Sequence, residues 1–72
     1  MRSGNDALSK KILELVRDSD EPFETMEIVS KIKDTTRMKI LYRLYLLRGD
    51  DKIKGKQVGS GKGAWIWWQY EE

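Results

Sequence analysis

Residues 59–68, GSGKGAWIWW, set one lysine among three glycines and directly ahead of three tryptophans. Glycine amides around a lysine can cradle a phosphate, so Lys62 is the first residue to test for chemistry. A nucleotide-binding loop of that kind reads GxxxxGK followed by Ser or Thr. The hydroxyl is needed for the magnesium ion, and a following helix N-terminus presents further amides. Here Gly55 stands one residue too far upstream of Gly61-Lys62, the next residue is Gly63, and Ala64-Trp65-Ile66-Trp67-Trp68 favours a strand over a helix. The stretch therefore reads as a hairpin loop and its second strand. Other catalytic chemistry is equally short of parts. The chain has no histidine and no cysteine, which removes the commonest general base, the thiolate nucleophile and the usual metal ligands. Glu14, Glu24 and Glu27 fall in an ordinary pattern of surface charge. No catalytic residue, cofactor, metal site or small-molecule ligand is expected, and the chain does not read as an enzyme.

Charge points elsewhere. Residues 1–30 carry four basic and seven acidic side chains, a net of −3, whereas residues 31–62 carry ten basic and three acidic, a net of +7. A basic middle suggests a face that meets a polyanion. With 72 residues the chain forms one domain, residues 1–72 with a core over about 6–70, and it holds a single modest core. No signal peptide or membrane-spanning run is visible, so a cytoplasmic protein is expected. Charged residues make up 36% while Asn and Gln together number three, a bias that suits a thermophilic source.

The elements that must position these residues follow from periodicity. Leu8, Ile12, Leu15 and Val16 recur at helical spacing, predicting helix 1 over about Asp6 to Arg17 with Asn5 or Asp6 as N-cap. Asp18-Ser19-Asp20-Glu21-Pro22 ends it. Phe23 and Glu24 form an extended link. Thr25 is the candidate cap of a short helix 2, whose apolar face is Met26, Ile28, Val29 and Ile32. Lys33-Asp34-Thr35 is too short for anything but a tight turn between helices, with Asp34 or Thr35 as the next cap. Helix 3 is predicted over about Thr36 to Arg48, stopping at Gly49 in a left-handed conformation. Its buried face is read as Ile40, Leu41, Leu44 and Tyr45 with Leu47 at the edge, and the opposite face as Thr36, Lys39, Tyr42 and Arg43 joined by Leu46. From Lys52 the period changes to two, predicting strands over 52–58 and 64–70 around Gly59–Gly63.

This order resembles a winged helix-turn-helix domain over about residues 6–70. Phe23-Glu24-Thr25-Met26-Glu27-Ile28-Val29 is similar to the family's approach to its second helix. Thr36 through Leu47 is similar to its recognition helix, and Ile53 through Trp68 to the two strands of its wing. The resemblance implies an α+β fold of three helices and a two-stranded β-hairpin wing, with room for a short strand near residues 22–25. It also implies double-stranded DNA as the partner, with helix 3 in the major groove and the wing, about 52–68, on the backbone or in the minor groove. Carried over residue by residue, it names Thr36, Arg37, Lys39, Tyr42 and Arg43 on the helix, with Lys39 and Arg43 foremost for reading bases and Arg37 nearer the buried side. On the wing it names Lys54, Lys56 and Lys62 for phosphate neutralisation.

The function expected is that of a small transcriptional regulator. Two alternatives are a winged-helix interaction subunit or adaptor and a single-strand binder that stacks bases on the wing aromatics. Trp65 and Trp67 share one strand face, and Ile66, Trp68 and Tyr70 the other; one set is expected to cover the helices. The other set, with Leu46, is then left for a homodimer or protein contact.

Overall fold

The computed structural model describes residues 6–59 and 64–70. It is an α+β arrangement of three helices and a three-stranded antiparallel sheet: α1 (Ala7–Arg17), β1 (Phe23–Glu24), α2 (Thr25–Lys31), α3 (Arg37–Gly49), β2 (Ile53–Gln57) and β3 (Trp65–Gln69).

Helix α1 begins where Asp6, in extended backbone, lets its Oδ1 accept the Ser9 N–H at 2.7 Å. This satisfies one of the donors that a helix start leaves without an internal partner. The cap of α2 differs from the sequence reading. Glu24 occupies it, and Glu27 reaches back to accept the Glu24 N–H at 2.8 Å in a capping box. Thr25 is instead the first helical residue and is buried. The cap of α3 is also displaced, to Thr36, whose Oγ1 accepts the Lys39 N–H at 3.2 Å; Asp34 serves the turn, with φ of 67°.

The end of α3 is a further correction. The helix runs through Gly49, and the left-handed residue is Asp51, with φ of 61°. The Lys52 N–H donates to the Leu47 carbonyl and the Asp51 N–H to that of Arg48, the paired bonds of a Schellman stop. Aspartate tolerates the left-handed region better than most residues.

The sheet order is β1-β3-β2, so the last strand in sequence is the central one. Phe23 pairs with Trp67 on one side and Gly55 pairs with Trp67 on the other. The third strand, β1, uses the extended link ahead of α2. Hairpin closure continues past β2, where the Val58 N–H donates to the Ala64 carbonyl at 2.8 Å, and Gly59 turns the chain with φ of 82°, a conformation that glycine adopts without strain.

The core is Ile12 and Val16 from α1, Ile28 and Ile32 from α2 and the segment after it, Ile40, Leu44 and Leu47 from α3, and Ile53 and Trp67 from the sheet. Trp67 is 0% exposed. Of the two strand faces, it is therefore the one bearing Trp65 and Trp67 that turns to the helices. The reason lies opposite: a Cβ on Gly55 would stand 2.3 Å from Trp67 Cε3, so only a glycine leaves room for the indole. The indole Nε1 donates to Thr25 Oγ1 at 2.8 Å, which satisfies its one polar atom and pins the sheet to the first turn of α2.

Candidate nucleic-acid interface

The buried row Ile40, Leu44 and Leu47 fixes the rotation of α3. At about 100° per residue, the direction opposite that row belongs to Met38, Tyr42 and Tyr45. They are 69%, 58% and 43% exposed. The outward face of α3 is thus an apolar and aromatic stripe at i, i+4 and i+7, and the basic residues flank it. Lys39 and Arg43 stand on one side, and Arg37 and Arg48 on the other with the half-buried Leu41. This refines the two-faced reading of helix 3: Leu47 is central to the core, and Tyr45 lies at the boundary, 43% exposed while its ring meets Trp65 and Trp67.

The flanking cations are in different states. Arg43 is half-buried and its Nε donates to Asp6 Oδ2 at 2.8 Å, while its guanidinium carbon lies 5.5 Å from the Tyr42 ring centroid. Asp6 therefore caps α1 with one oxygen and holds α3 with the other. Its carboxyl is held below the usual carboxylate range, first by hydrogen bonding to Ser9, which outweighs the opposing effect of burial, with a further contribution from Arg43. Arg48 donates from Nε to the Gly55 carbonyl at 3.2 Å and lies over the Trp65 ring at 5.2 Å, so it ties the end of α3 to β2. Lys39 and Arg37 are exposed, and among the described residues no carboxylate forms an ion pair with either side chain.

Thr36, Arg37, Lys39 and Tyr42 therefore share the exposed N-terminal half of α3. Arg37, placed nearer the buried side by the sequence reading, is at the surface. It borders a groove of about 320 Å³ lined also by Met26, Leu41, Tyr45 and Trp65. Lys54 and Lys56 do not join this set. They alternate with Ile53 and Gly55, so they lie on the sheet face away from the core, beside Ile66 and Trp68. Lys54 Nζ is 5.3 Å from the Tyr70 ring centroid. Lys62 lies outside the described residues.

Met38, Tyr45 and Arg48 were not among the predicted site residues. The spacing of Met38, Tyr42 and Tyr45 is present in the sequence, but Tyr45 also falls at the edge of the apolar face, and its ring meets both Trp65 and Trp67. Among the described residues, no group of three or more acidic side chains is placed to hold a metal ion, and no helix is long and apolar enough to cross a membrane. Comparisons with protein-family models, curated proteins and solved structures find no match to the chain.

Proposed function

We propose that the chain is a winged helix-turn-helix domain that binds double-stranded DNA, most simply as a small intracellular transcriptional regulator, without catalysis. The observation that carries this reading is the state of α3. Its N-terminal half follows a tight turn after α2, is capped by Thr36, and leaves Arg37, Lys39 and Tyr42 exposed. In this reading that half meets base edges in the major groove. The β2–β3 hairpin is the wing, with Lys54, Lys56 and Lys62 against phosphates. The strong positive excess of residues 31–62 supports a polyanionic partner.

Burial of Trp67, and the stacking of Trp65 on it at 5.3 Å between centroids, count against the single-strand alternative by taking two of the three tryptophans into the fold. A homodimer would strengthen duplex binding, since one module buries only about 600–1,000 Å² on DNA.

Titration against duplex DNA at two salt concentrations tests the reading. Four phosphate contacts would weaken binding roughly a hundredfold between 50 and 200 mM salt. The informative variant is Arg37→Ala with Lys39→Ala, because removing Arg43 would also break its pair with Asp6. This double variant should fold normally and lose duplex binding. Wild-type affinity in it would refute the assignment of α3.

A further inference from the structure

The residues best suited to reading guanine are not at the centre of the exposed α3 face. Arg43 is held by Asp6 at 2.8 Å. Lys39 stands on a flank, and the centre belongs to Met38 and Tyr42, 69% and 58% exposed on the first two turns. An exposed Met beside an exposed Tyr offers no bidentate donor pair to a guanine edge. It offers an apolar surface, and the apolar feature of the major groove is the C5-methyl of thymine.

We propose that Met38 and Tyr42 determine specificity by packing on thymine methyl groups, so that this domain selects thymine-containing steps in duplex DNA. The inference rests on the duplex-binding reading above and names what the same surface recognises.

Charge decides for a nucleic acid over a protein as the occupant of the stripe. Cations border it on both sides, Lys39 on one and Arg37 on the other, and they match the two phosphate strands that line a groove.

The experiment recovers the tightest-binding duplex from a random-sequence pool at about 0.15 M salt and resynthesises it with uracil in place of thymine, which removes only the methyl groups. The wild-type chain should bind the uracil duplex about fourfold more weakly for each contacted methyl, the effect of one buried methylene-sized group. Met38→Ser with Tyr42→Ser should bind both duplexes weakly and equally, while remaining cooperatively folded. Placing 5-methylcytosine at contacted cytosines should raise wild-type affinity. A recovered site without thymine, or equal wild-type affinity for the two duplexes, overturns the proposal and leaves duplex binding intact. Absence of any duplex binding at low salt overturns both. Conversion of a dimer to a monomer by the double substitution, with the thymine preference unchanged, makes the stripe a protein contact and also refutes the proposal.

Discussion

Two groups of large side chains in this protein end up in opposite environments. One is Trp65 stacked on Trp67 beside Gly55, with Trp67 wholly buried and hydrogen-bonded to Thr25. The other is Met38 and Tyr42 on the outward side of α3, more than half exposed. Tyr45 stands between them, its ring edge-on to Trp65 at 5.8 Å and to Trp67 at 5.9 Å while 43% of it meets solvent. Residue type alone does not separate the clusters. What separates them is the available room: Gly55 gives the indole a seat, and the row Ile40, Leu44 and Leu47 turns Met38 and Tyr42 to the opposite side of α3 from the core. A small domain that leaves such side chains outside forgoes their burial, and the DNA contact proposed above is a use for the surface they form.

The contrast can be broken most forcefully at Trp67. Trp67→Ala should cost about 3–5 kcal/mol, because it empties the middle of the core and leaves the Thr25 hydroxyl unpaired. Cooperative thermal unfolding followed by circular dichroism should then vanish or move far down in temperature. Gly55→Ala comes next at about 1–3 kcal/mol, since the new methyl must displace a rigid buried ring. Urea denaturation should show a lower midpoint, and a midpoint equal to wild type would mean that the indole is not seated there. Tyr45→Ala, at the junction, should lose about 1–1.5 kcal/mol from its edge-on contacts.

Asp6→Ala should cost about 1 kcal/mol through the lost cap, and its effect should depend on pH. The folded-state pKa of Asp6 is lowered, so its contribution is present above the unfolded-state value and fades as pH falls through the folded one. Wild type and variant should therefore converge in stability in acid and differ at neutral pH, as checked by denaturation at several pH values. The smallest effect is expected for Met38→Ser with Tyr42→Ser, within about 0.5 kcal/mol of wild type. A large loss of stability there would erase the distinction between the clusters.

Much of this fold is legible in the sequence, and what was misread has local causes. Helix α1 follows from the spacing of Leu8, Ile12, Leu15 and Val16, and the hairpin from a period of two on either side of a glycine-rich loop. The alternation of the tryptophans separated two faces without saying which one is inside. Pairing the strands about residues 59–63 brings Gly55 opposite Trp67, and that pair holds the answer. Thr25 looked like a cap because threonine often is one. Its true partner is an indole 42 residues away, beyond the reach of any local pattern. Gly49 looked like the stop because glycine tolerates left-handed backbone. The chain turns two residues later, after Leu47 has entered the core and before Ile53 must. For the candidate interface, the family resemblance names Arg37 and Lys39, and the fold leaves both exposed. The resemblance does not reveal that Arg43 is engaged by Asp6, because that pair joins the start of α1 to the middle of α3.

The central position of β3 has a consequence for how the chain comes off the ribosome. Three helices and β2 are synthesised before Trp65, yet none of them can close the core until Trp67 arrives between β1 and β2. The nascent domain cannot complete its core until residue 69 has emerged, so part of its apolar surface is open to capture by chaperones until then.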